Sequence, residues 1–207
     1  ASVRASDGAP MPWAANQTIR AGGSGSGTMS LHSDGTNIWA SAFRTSLSGN
    51  FEGTYAADPD TGALRIVNDC RGDTYDTFAT GGVLYTVGHA HDCSGIGSFP
   101  ENEGTRIARR ALAFTLDARG TNVGDFPGRP ASALLHWYPQ LDAGTATQTT
   151  QAAWTITGNS TYVVMGGEFP RINGRGQSGL ARFAIPRVAP NLRGPLPDPS
   201  DAPPTAS

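Results

Sequence analysis

The sequence predicts an all-β fold assembled from repeated antiparallel units, on three grounds. Short alternating apolar segments are separated by turn dipeptides, glycine (27) and proline (15) make up about a fifth of the 207 residues, and one hairpin pattern recurs along the chain. Hydrophobic residues are 38% and charged residues 15%. That is too polar and turn-rich for a helical bundle, and too sparsely charged for a disordered chain. The net charge is −2, so no basic field points to nucleic acid. No stretch approaches the roughly 18 apolar residues of a membrane span. All fifteen cations are Arg, a bias that base composition of the genome explains as well as a need for forked contacts does.

Taken in order, residues 1–27 hold few apolar residues and the run from Gly22 to Gly27, and read as an extended arm anchored at Met11-Pro12-Trp13. Met29 to Ser33 alternates, Asp34-Gly35 is a hairpin turn, and Asn37 to Phe43 returns. Phe51 to Ala57 is a third strand; Asp58-Pro59-Asp60-Thr61-Gly62 carries turn chemistry; Ala63 to Val67 is a fourth. Four short antiparallel strands match one blade of a β-propeller. The hairpin recurs at 77–89 and 153–167, with Trp39, Tyr85 and Val163 in matching places. The first two are 46 positions apart, close to a blade length; the second gap is 78, so the middle unit carries insertions, for which 94–104 and 118–144 are candidates. Ile107 to Leu116 reads as a strand between them, and Leu134 to Tyr138 as a short strand or helical turn.

The expected architecture is therefore an all-β, propeller-type domain over 28–186, with about three four-stranded blades at 28–68, 69–145 and 146–186. Residues 187–207, rich in proline and without aromatics, read as an extended linker or tail. Propellers ordinarily have four to eight blades. Three imply that the ring is completed by further blades or by other copies, or that the units form a β-sandwich instead. Cys70 and Cys93 are the only cysteines, one hairpin interval apart. One disulfide suits an exported protein, with two buried thiols as the alternative. The chain starts at Ala1 without a signal peptide, which is expected of a processed or partial sequence.

Several runs together resemble a known group: DGAPMPWAAN at 7–16, NFEGTYAADP at 50–59, DCRGDTY at 69–75, GHAHDC at 88–93, GGEFPRING at 166–174 and QSGLARF at 177–183. They are similar to a β-propeller-like module of secreted actinobacterial proteins, often neighboured by PKD, fibronectin type III or laminin-G-like domains. The resemblance spans about 7–193. It implies export, further blades before this segment, and linkers with small β-domains after it. It implies no defined activity. The group usually has a histidine after the first cysteine, where this chain has Arg71; a three-imidazole metal site would lack a ligand here.

The candidate cluster is Asp69, Asp73, His89, His91 and Asp92, beside the cysteines. His89 and His91 are two apart, so they share one face of a regular strand. Two imidazoles and a carboxylate suit a transition metal; a hydrogen-bonded polar cluster is the plainer reading, and general acid–base chemistry a third. Glu52, Asp58, Glu101, Glu103 and Glu168 are the other carboxylates considered for glycoside hydrolysis, which needs two of them across a sugar. There is no nucleophile elbow, and a phosphate loop is impossible without Lys. Arg71-Gly72-Asp73 spells an integrin-ligand tripeptide, read here as coincidence; Asn16 and Asn159 begin glycosylation sequons. Trp13, Trp39, Trp137, Tyr138 and Trp154 read as packing residues before sugar platforms. The expectation is a non-catalytic, secreted or cell-surface interaction or assembly module. Its partners are further blades, its own copies, a glycan or a surface protein, and no catalytic residue or cofactor is assigned. A carbohydrate-active enzyme on a propeller scaffold is the alternative.

Overall fold

The structure, a computed structural model, describes residues 2–45, 49–101, 106–184, 188–189 and 195. The tail expected over 187–207 lies almost wholly outside the described residues. The rest is all-β. Two short strands, β1 (Ser2–Val3) and β2 (Pro10–Met11), pair within the arm. The first sheet is the meander β3 (Ser26–Ser33), β4 (Ile38–Arg44), β5 (Gly53–Ala57), β6 (Leu64–Asn68). Its turns are closed locally. Asp34 Oδ1 accepts the amides of Thr36 and Asn37, both at 2.7 Å, and Asp58 Oδ1 accepts those of Asp60 and Thr61. Such side-chain-to-backbone bonds stand in for a turn's missing ladder partners.

The second sheet repeats the meander with β7 (Thr74–Thr80), β8 (Val83–Ala90), β9 (Arg109–Thr121) and β10 (Pro130–Leu134). Here the expected insertion at 118–144 is corrected. β9 runs through Thr121, and β10 supplies the fourth strand across two register shifts. Its density of Gly and Pro reads as loop, but the irregular ladder tolerates them at a sheet edge. The third sheet has three strands: β11 (Ala153–Gly158), β12 (Tyr162–Gly167) and β15 (Leu180–Ala184). Between β12 and β15 lies a separate two-stranded ribbon, β13 (Arg171–Ile172) with β14 (Arg175–Gly176). The third unit thus departs from the four strands expected of it, and no closed ring forms among the described residues.

The sheets stack face to face, the second in the middle. Period-two alternation sends Leu84, Leu112 and Phe114 toward the first sheet, where they meet Trp39, Ala56 and Ile66. Their neighbours Val83, Tyr85, Val87 and Ala113 face the third sheet and meet Ile156, Val163 and Met165. Trp39 and Tyr85 therefore both point forward along the stack, whereas Val163 points back. The repeat alignment that matched all three is off by one residue at Val163, because a shift of one reverses the face. Polar bridges fix the spacing: the buried Asn68, which also bonds Thr54 in its own sheet, bonds Ser132 between the first two sheets, and Asp76 accepts Thr155 Oγ1 (2.8 Å) and the Ile156 amide (2.9 Å) between the last two.

The two ends of the stack differ. The outward face of the first sheet (Ala40, Ala42, Tyr55, Val67) is covered by Ala15, Phe51 and Phe126, with Trp13 and Ile19 alongside. The arm is held there by Ala14 N–H donating to Thr61 O (3.0 Å) and by Trp13 lying on Gly62. Gly62 has φ +69°, and an added Cβ would sit 2.4 Å from the Trp13 ring, so glycine is required twice over. The arm folds back on its own sheet instead of reaching out. Among the described residues the outward face of the third sheet has no such cover. Leu180 is 59% exposed, and an open depression of about 920 Å³ lies over Val164, Ile172, Leu180 and Phe183, rimmed by Arg175 and Arg182.

Candidate functional site

In an antiparallel meander, alternate connections share one end of the sheet. The connections that leave β4, β6, β8 and β10 therefore start from one end of the stack. Between the first two sheets that end holds a cleft of about 640 Å³. Arg44 closes β4, Glu52 precedes β5, Asp73 precedes β7, His89 lies near the end of β8, and His91 follows it. Among the described residues no aliphatic side chain lines the cleft.

Gly72 lets these pieces meet. Its φ is +104°, and a Cβ there would fall 2.4 Å from the His89 carbonyl. The glycine of the Arg71-Gly72-Asp73 triplet is thus explained by close backbone approach. Its arginine pairs with Asp92 (3.7 Å) and Asp125 (3.6 Å), and its aspartate Oδ1 accepts the Arg44 amide at 3.0 Å. Arg71 and Asp92 also form an isolated bridge that extends the β7–β8 ladder. The next pair outward is Cys70 and Cys93, and these two are joined in a disulfide.

Of the five residues expected to cluster, Asp73, His89 and His91 line the cleft. Asp92 accepts the Ser94 amide at 2.9 Å and holds Arg71. Asp69 turns away: its carboxylate lies against Gly95 and Gly124 and accepts the Asp125 amide at 3.3 Å. Among the described residues no three His, Cys, Asp or Glu side chains are arranged to hold a metal ion. His89 Nδ1 shares a 2.8 Å hydrogen bond with the Tyr75 hydroxyl. His91 is only 8% exposed; its Nδ1 lies 3.5 Å from Glu101 Oε1 and makes no hydrogen bond among the described residues. Glu101 is itself engaged by Arg106 Nε at 2.8 Å.

Burial sets the protonation of the site. It lowers His89, which Asp73 raises and His91, Arg110 and Arg106 lower further. It also lowers His91, with Arg106 adding to the effect against Glu101 and Asp92. For both imidazoles burial favours the neutral form. Burial raises Glu52; the Gly72 amide counters this, and Asp73 reinforces it. Asp69 is pushed up to about 6, by burial first and by Asp125 second.

Asp69 yields a sign-specific expectation. Its folded pKa lies above the ordinary 3.8, so the folded state binds the proton more tightly. That stabilisation is full below about pH 4 and is lost as pH rises through about 6. Asp69→Asn keeps the acceptor for the Asp125 amide and removes the ionisation. It should leave stability nearly unchanged near pH 4 and raise it at pH 7 by on the order of 1–3 kcal/mol, read from urea midpoints. A variant less stable than the parent at pH 7 would contradict this account.

The chain matches no family model, no curated protein and no solved structure. The structure adds Arg44, Tyr75 and Arg106 to the site. The first two lie at strand ends, and the alternation of ends in a meander was the signal that could have brought Arg44 to His89. Glu168, weighed as a catalytic carboxylate, instead accepts the Thr147 amide (2.9 Å) and the Trp154 indole (3.2 Å) and shapes the loop before β11.

Proposed function

We propose that this chain is a non-catalytic assembly module of a secreted or cell-surface protein, a propeller segment whose stack of sheets is continued by further β-sheet beyond the third. One observation carries the reading. The first sheet's outward face is covered by the arm over β4–β6, with Leu31 of β3 left exposed, and among the described residues the third sheet's has no such cover. Each internal face of the stack is satisfied by another sheet. On the third sheet's outward face, Val164 and the exposed Leu180 present the same kind of surface without a partner among the described residues, whereas Ile172 and Phe183, the latter paired with Val163, pack against the inner core. The disulfide, and the lack among the described residues of a helix long and apolar enough to cross a membrane, fit an exported chain. Membership of the secreted actinobacterial propeller-like group belongs to the same proposal.

On its own, the chain should cover this face with a second copy. Light scattering from micromolar concentrations upward should show dimers or larger species. Leu180→Glu should give a monomer while changing stability by less than about 0.5 kcal/mol, since the side chain is exposed. A parent chain that stays monomeric throughout would remove the basis of the reading.

A carbohydrate-active enzyme is the second reading, favoured by the raised Glu52 carboxyl beside Asp73 in one cleft. Release of reducing ends from an oligosaccharide, lost in Glu52→Gln, would support it over the first.

A further inference from the structure

We propose that the polar cleft between the first and second sheets binds a neutral polyhydroxylated ligand, the vicinal hydroxyl groups of a sugar residue. The site is distinct from the open face of the third sheet, so it stands or falls apart from the assembly reading.

The lining sets the chemistry. The described lining is polar and charged, with no aliphatic side chain among the described residues, so it offers an apolar ligand little to bury against. Its charges oppose one another: Arg44, Arg71 and Arg106 face Glu52, Asp73 and Glu101. Two of the arginines are already engaged, Arg106 by Glu101 at 2.8 Å and Arg71 by Asp92 and Asp125. A phosphate or other strong anion would meet Asp73 and Glu52; an ammonium group would meet Arg44 and Arg106. A neutral polyol avoids both penalties. It also uses what the cleft supplies, which is a mixture of forked donors and acceptors. A carboxylate accepts from two hydroxyl groups, and a guanidinium donates to two hydroxyl oxygens.

The groups are held ready for such a ligand. Asp73 spends Oδ1 on the Arg44 amide, and Oδ2 has no hydrogen bond among the described residues. Tyr75 occupies His89 Nδ1 and fixes that ring, which leaves Nε2 as its remaining polar atom. His91 carries a buried Nδ1 without a hydrogen bond among the described residues, a cost that native proteins rarely leave uncompensated. A ligand that reorders the Glu101–Arg106 side would relieve it.

The test is nuclear magnetic resonance on the full chain with four neutral disaccharides (maltose, cellobiose, lactose and mannobiose) and with glucuronate and inorganic phosphate. Saturation transfer to at least one neutral disaccharide is expected, together with shifts of the His89 and His91 imidazole nitrogens in the unmutated protein. Asp73→Asn and Arg44→Gln should each weaken binding by about tenfold or more, the effect of losing a hydrogen bond to a charged group. Leu180→Glu should bind as the parent does. The imidazole shifts keep the test decisive if Asp73→Asn does not fold. No transfer to any disaccharide, transfer without imidazole shifts, or binding of glucuronate or phosphate alone would each overturn the proposal.

Discussion

Trp39→Ala should destabilise the protein by about 3–5 kcal/mol, the range for deleting a large aromatic from a core. Trp39 is fully buried between the first two sheets, against Ala56, Ile66, Leu84 and Phe114. Its indole also donates to Asp34 Oδ2 at 2.7 Å, which ties the core to the β3–β4 turn. Burial raises the Asp34 carboxyl, but the bonds from Asn37, Trp39 and Thr36 outweigh it and hold the group below its ordinary value. Truncation therefore opens a cavity and removes one of the bonds that keep Asp34 ionised. Trp39→Phe separates the two effects, keeping much of the volume and losing the donor. It should cost about 1–2 kcal/mol beyond the volume change. Urea denaturation should show a lower midpoint at unchanged slope. A loss below about 1 kcal/mol for Trp39→Ala would mean that the first two sheets do not share this core.

The Cys70–Cys93 disulfide should contribute roughly 3 kcal/mol in the chain-entropy model. It closes a loop around the β7–β8 hairpin, next to the Arg71–Asp92 bridge. Both cysteines are buried in the core between the first two sheets. The double variant Cys70→Ala/Cys93→Ala should lower the denaturation midpoint correspondingly. Intact protein should be two hydrogens lighter than the reduced chain by mass spectrometry. Two freely alkylated thiols in the native protein, or a double variant as stable as the parent, would contradict the role assigned to the bond.

The features legible in the sequence are those decided over short distances. The turns at Asp34-Gly35 and Asp58–Gly62 depend on side-chain bonds to amides two or three residues on, so residue identity suffices. Cys70 and Cys93 were readable as a pair because one hairpin separates them. Trp13 stood out as an anchor because it is an aromatic amid small residues, but nothing local said that it would rest on Gly62. β10 is hidden because the connection before it and its own first residue carry Gly124, Pro127, Gly128 and Pro130, and only the ladder with β9 reveals it. The site divided along the same line. Spacing placed His89 and His91 together. The turning of Asp69 toward Asp125, and the arrival of Arg44 beside Asp73, depend on how sheets stack. Face assignment in β12 failed for a related reason: in Tyr162-Val163-Val164 successive residues are all apolar or aromatic, so composition does not say which face is which.

The most direct test of the account is methyl resonance spectroscopy of the full chain on dilution from millimolar to micromolar concentration. The open third sheet predicts concentration-dependent shifts at the methyl groups of Val164, Ile172 and Leu180, with those of Leu84, Val87 and Leu112 unmoved inside the stack. Shifts absent from Val164 and Leu180, or spread equally over the internal core, would contradict it.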